Sequence, residues 1–296
     1  MKITSPVRFV SSALAALALL TGAGQAGAQA DSRAGDVYYE RAFVLAAHRK
    51  CRLFEPGLTA ALDAATLQAR GAALRAGRSG PELAATAARA ETRAAATACD
   101  DAGLTRVKAR VRTAFAGWSR AALTEFAGGA APWKADRFSA REPGWRLAQA
   151  SAVGASPVRF GLSGLGPTAT EATAVVSFVG RPRPYAARLV MRDAAKTPRP
   201  WLAGEGPAGD GLPPESARRA VFAARSEAAP RSLLAEGARR GEAWIFPDEA
   251  AQALAGLDPR EPFLIEFLFR DDSVATARFT TGDFAAGRAF LAMGPL

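Results

Sequence analysis

Histidine is almost absent from this chain: one in 296 residues, His48. Cysteine occurs twice, at Cys51 and Cys99, methionine and tyrosine three times each, and lysine five times against 33 arginines. These scarcities remove whole chemistries. A zinc site needs three or four ligands at suitable spacing, and one histidine with two distant cysteines supplies no recognisable set. A serine hydrolase triad could draw only on His48. Its best serine candidate, Ser163 in "GLSGLG", departs from G-x-S-x-G because Leu165 stands where the last glycine belongs. The same glycines make no phosphate loop, since no Gly-Lys-Ser/Thr follows. Past residue 20 there is no apolar run of the ~20 residues a membrane span requires.

The first thirty residues carry a different signal. Lys2 and Arg8 give a basic start, Phe9–Leu20 an apolar stretch, and a small-residue tail ends in Ala28-Gln29-Ala30, with Ala26-Gly27-Ala28 as a second cleavage candidate. Those three parts in that order predict a secretory signal peptide, cleaved near Ala30. The apolar stretch is too short to anchor the chain. The alanine- and arginine-heavy composition points to a bacterial protein, hence one that is periplasmic or secreted. Residues 31–296 are enough for a sizeable core, as one large domain or two ordinary ones.

The net charge of +10 invites a nucleic-acid reading, but its distribution argues otherwise. Residues 31–129 carry 15 Lys/Arg against 10 Asp/Glu, and residues 130–296 carry 21 against 18. The excess is spread thinly. The tightest cluster, Arg106, Lys108, Arg110 and Arg112, alternates with Val107 and Val111 and fits a solvated helix face. No specific nucleic acid is expected as partner; a weak attraction to anionic surfaces is compatible with the excess.

From Asp36 the apolar period is that of a helix. One segment runs to a break at Pro56-Gly57, a second to Gly77, and a third from Ser79-Gly80-Pro81 to Gly103. The fourth carries a stripe of Leu104, Val107, Val111, Phe115, Trp118, Ala122 and Phe126, up to Gly128-Gly129. Four such segments with short connections predict an antiparallel helical bundle over 31–129. Cys51 ends the first helix and Cys99 the third, which in up-down order places both at one end of the bundle. An even cysteine count in an exported chain favours a Cys51–Cys99 disulfide. Its loop would contribute roughly 4 kcal/mol on the chain-entropy model. Bridging requires the first and third helices to be adjacent, whereas a square bundle sets them on a diagonal. His48, three residues before Cys51, then reads as a packing or surface histidine.

After Gly129 the composition shifts. Residues 130–145, with Trp133 and Trp145 among prolines and alternating charges, read as a linker or seam. Those two tryptophans are the candidates to line a ligand cleft between the parts, or to glue them. Residues 146–296 read as an α+β domain, a mainly antiparallel sheet with one or two covering helices. Expected strands include a hairpin of 170–180 with 184–193, a strand over 219–227, and another over 242–247. A helix over 248–257 follows, then a hairpin of 262–283 turning at Asp271-Asp272-Ser273, and a closing helix over 283–293. The fold class is thus α+β in two parts.

Three acidic pairs, Asp100/Asp101, Asp248/Glu249 and Asp271/Asp272, are candidates for general acid–base work. Each has a structural explanation as well: a helix end, the positive end of a helix dipole and a hairpin turn. No calcium loop is present. The sequence therefore leans against an enzyme and calls for no cofactor or metal. It favours an exported, non-catalytic envelope protein that binds a partner protein or a surface polysaccharide. The alternative is an envelope-directed hydrolase of sugars or esters using carboxylates that the sequence does not identify.

Overall fold

The computed structural model describes residues 22–180, 182–202 and 211–296. Lys2, Arg8 and the apolar stretch Phe9–Leu20 lie outside the described residues; the expected cleavage segment, 26–30, falls in the first turns of helix α1.

Among the described residues four helices come first: α1 (Gly22–Cys51), α2 (Pro56–Arg75), α3 (Gly80–Ala96) and α4 (Ala102–Trp118). Their starts are encoded locally. Pro56 opens α2 at a position whose N–H needs no partner. Ser79 and Glu82 form a capping box on α3, the Ser79 amide donating to the Glu82 carboxylate at 2.8 Å. Asp101 caps α4, its carboxylate accepting from the Leu104 amide at 2.9 Å. Gly77, with φ of +97°, turns the chain out of α2. Helix α1 packs against both α2 and α3, so the first and third helices are neighbours and the diagonal problem does not arise. Cys51 and Cys99 are bonded, with Cα atoms 5.5 Å apart.

The fourth helix is shorter than its stripe implies. It stops at Trp118, and Leu123–Phe126 forms strand β1, paired with β2 (Trp133–Asp136) inside the stretch expected to be a linker. Phe126 sits opposite Trp133, and both are buried in the sheet core. The helical spacing that ran on to Phe126 is overridden by this pairing. Arg137, 2 % exposed, collects the backbone carbonyls left where the helix ends, donating to Ser119 at 2.9 Å and Ala121 at 3.2 Å.

The chain then forms β3 (Gly144–Val153), β4 (Ser156–Gly166), β5 (Ala169–Val176), β6 (Ala186–Arg192), β7 (Arg218–Phe222), β8 (Arg225–Ala228) and β9 (Glu242–Phe246). Helix α5 (Asp248–Ala255), β10 (Pro262–Leu268), β11 (Val274–Thr280) and α6 (Phe284–Leu291) complete it. Two antiparallel sheets result, one ordered β1-β2-β3-β4-β5-β9-β8 and the other β11-β10-β6-β7. Their inner faces share one core, with Trp133, Leu147 and Phe160 from the first sheet and Leu189, Phe263 and Phe279 from the second.

Two expectations are corrected here. The segments 170–180 and 184–193 do not pair with each other: β5 joins β4 and β9, whereas β6 joins β10 and β7 in the other sheet. The run 219–227 is two strands. Ala223 donates its amide to Ala187 in the four-stranded sheet, and Ala224 donates to Ile245 in the seven-stranded one. Two successive small residues thus carry the chain round the corner between sheets. The 262–280 hairpin forms as expected, with Asp272 at φ +62° in its turn.

The helices are not a separate body. Helix α6 packs against β1, β2 and β3 and also against α2. Ala64 of α2 belongs to the sheet core, and Leu67 and Trp118 pack on it.

Candidate binding site

His48 and Cys51 are structural. The His48 Nδ1 accepts from the Phe54 amide at 3.2 Å, which fixes its hydrogen on Nε2, 3.1 Å from the Thr59 hydroxyl. The ring stacks on Phe54, and burial holds its pKa below the ordinary histidine value. It thus fastens the turn between α1 and α2 beside the disulfide. Ser163 is buried with its hydroxyl 2.9 Å from that of Thr173, so neither it nor His48 bonds the other.

The acidic pairs keep to local roles. Asp101 caps α4, Asp248 and Glu249 open α5, and the Asp271 carboxylate accepts from the Ser273 amide and hydroxyl in the hairpin turn. Glu171 and Glu227 line one groove on the outer face of the seven-stranded sheet, but Arg225 holds Glu171 by two bonds of 2.8 and 2.9 Å. Burial raises the pKa of Glu242 and of Asp283; each faces an arginine, Arg183 and Arg75 respectively. Among the described residues no cluster of three or more His, Cys, Asp or Glu could hold a metal.

The two tryptophans of the seam point to opposite faces of the sheet. Trp133 is fully buried between Phe160, Phe263 and Phe284, its indole N–H donating to the Thr281 carbonyl at 2.9 Å. Trp145 is half-buried on the outer face, where its N–H donates to the Leu233 carbonyl at 3.0 Å. It borders a shallow trough with Lys134 and Arg159. The structure therefore brings them to no common cleft.

A cleft does open where the helices meet the sheets, and sequence reasoning did not find it. Residues of α1 and α2 form one wall, and Ala127 and Asp283 form the other, around a cavity of about 650 Å³. Among the described residues, three guanidinium groups, from Arg33, Arg41 and Arg75, line it with one carboxylate, Asp283. Arg75 and Asp283 are bonded in bidentate fashion at 2.7 and 2.9 Å. The carboxylate is 2 % exposed. Gly71 makes this approach feasible, because a Cβ there would overlap the Asp283 carboxylate. Arg41 donates to the Ala65 carbonyl at 2.6 Å. Arg33 and Arg41 form no salt bridge among the described residues, although Glu40 acts on Arg41 through space, and the cleft keeps a positive excess beside the apolar wall of Val37, Ala69 and Ala72.

No protein-family model, curated protein or solved structure matches the chain. No helix among the described residues is long and apolar enough to cross a membrane. Helix α1 extends back beyond the expected start at Asp36, which puts Arg33, Val37 and Arg41 on one helix face. Their convergence with Asp283, from the far end of the chain, was not legible in sequence.

Proposed function

We propose that this is an exported, non-catalytic protein of the bacterial envelope that binds an anionic surface polymer in the seam between its helices and its sheets. The observation that carries the reading is the excess of guanidinium over carboxylate in the seam cleft. Guanidinium forks match carboxylate and phosphate geometry, and in a partly walled cleft their field is less screened than on an open surface. The disulfide between Cys51 and Cys99 supports an oxidising compartment, as does the leader-like composition of residues 1–30. An acidic segment of a partner protein is the second occupant of this class.

The test is binding of polygalacturonate, a polyanionic sugar polymer, compared with neutral dextran of similar size. Wild-type protein should retain the polyanion, with affinity falling as salt rises. Arg33→Glu should weaken retention by about tenfold, because it reverses an exposed charge at the cleft without touching the core. Equal retention of dextran, or retention indifferent to Arg33→Glu, would defeat the proposal. Turnover of the polymer, lost on replacing a carboxylate, would move the protein to the hydrolase alternative.

A further inference from the structure

Helix α4 leaves part of its apolar face uncovered, and the space beside it is a second groove of about 300 Å³. Its walls are Phe43 and Val44 of α1 and Val107, Val111 and Phe115 of α4, with Leu62 of α2 contributing to the lining. On α4 only Leu104 is buried; Val107, Val111 and Phe115 are half-exposed. The stripe packs on the cluster of Val44, Leu62 and Leu104 with one side and faces a trough with the other.

The rim is cationic. Arg93 lies over the Phe43 ring, 5.2 Å from its centroid, and donates to the Tyr39 hydroxyl at 3.4 Å. Arg110 stands on the α4 side, exposed and with no ion-pair partner among the described residues. Arg41 is shared with the seam cleft, and Glu40, exposed, is the one carboxylate of the lining among the described residues. An apolar trough bordered by three guanidinium groups and one carboxylate selects a ligand with an apolar tail and an anionic head. The volume lies at the small end of the range for small-molecule sites.

We infer that the groove between α1 and α4 binds a single-chain anionic amphiphile, its acyl chain laid along Val107, Val111 and Phe115 and its carboxylate held by Arg93 and Arg110. Burial of the chain supplies the attraction; the two guanidinium groups fix its direction. This inference does not rest on the polymer reading: Arg93 and Arg110 are not among the residues that line the seam cleft, although Arg41 borders both.

The experiment is calorimetric titration of the full mature chain with monomeric dodecanoate, with dodecyltrimethylammonium as the cationic counterpart and hexanoate as the short-chain control. Dodecanoate should bind saturably with one site. Arg93→Glu combined with Arg110→Glu should weaken it by at least about tenfold. Val111→Trp should abolish binding by filling the trough that Val111 borders. A helical signal and thermal midpoint equal to wild type must accompany the loss. Polymer retention should be unchanged in both variants, which separates this failure from that of the seam. Equal binding of the cationic amphiphile, tight binding that survives Val111→Trp, or binding only to phosphatidylglycerol vesicles and not to dodecanoate would overturn the inference.

Discussion

At the scale of single residues, His48 shows how an apparent catalytic residue becomes a fastener. Its Nδ1 accepts one hydrogen bond, its Nε2 meets a hydroxyl, and its ring stacks on Phe54. Every one of these contacts needs or tolerates the neutral ring, and the bond from the Phe54 amide cannot form once Nδ1 is protonated. Burial depresses the pKa below the ordinary 6.5. A depressed histidine contributes stability that is present above the unfolded value and is lost as pH falls through it, because the unfolded chain then takes up the proton more readily. Urea unfolding should therefore show a loss of stability between about pH 7.5 and pH 5 that is smaller in His48→Gln. At neutral pH, His48→Ala should cost about 1 kcal/mol, the worth of a net hydrogen bond. An identical pH dependence in wild type and variant would refute the fastening role.

At the scale of elements, legibility followed the chemistry of each segment. The 262–280 hairpin was readable because Phe263, Ile265 and Phe267 alternate with less deeply buried positions and Asp271-Asp272-Ser273 supplies the turn. Strands β3 and β4, the longest pair, escaped notice because small residues fill them. Gly161 is required there: a Cβ would overlap the Leu147 carbonyl of the neighbouring strand. In sequence the same glycine resembles loop punctuation. The end of α4 was misplaced for the opposite reason, since a helical period continues through Ala122 and Phe126 although Phe126 is placed by strand pairing with Trp133. The disulfide was readable from helix direction and cysteine count, while the adjacency of α1 and α3 that permits it came only from packing. Replacing Cys51 and Cys99 together by Ala should lower stability by about 4 kcal/mol on the loop-entropy model. The helical ellipticity of the folded protein should stay near wild type, because α1 still buries Ala47 and Val44. A loss under about 1 kcal/mol would mean that packing alone already holds α1 on α3.

At the scale of the whole molecule, the decisive joint links residues 208 positions apart. No sequence pattern connects Arg75 at the end of α2 to Asp283 at the start of α6, or explains why Gly71 must be small, until the two helices are seen together. The joint also sets the charge of the seam cleft, so stability and binding are coupled there. Arg75→Ala would leave the Asp283 carboxylate buried with only the Ala127 backbone amide as its partner. Breaking a buried pair in this way costs about 3–5 kcal/mol, and the lower figure applies because Arg75 is 32 % exposed. Burial already raises the Asp283 pKa against the opposing pull of Arg75, and removing the arginine raises it further. A carboxyl whose folded pKa lies above its unfolded value takes up its proton first in the folded state, so stability is regained as pH falls. The deficit of Arg75→Ala relative to wild type should accordingly be largest near about pH 7.5 and shrink towards pH 5. Parallel urea titrations at the two pH values measure this directly. A deficit that is constant with pH would show that the carboxylate finds water when its partner is gone, and that the helices are held to the sheets by Ala64, Leu67 and Trp118 rather than by the ion pair.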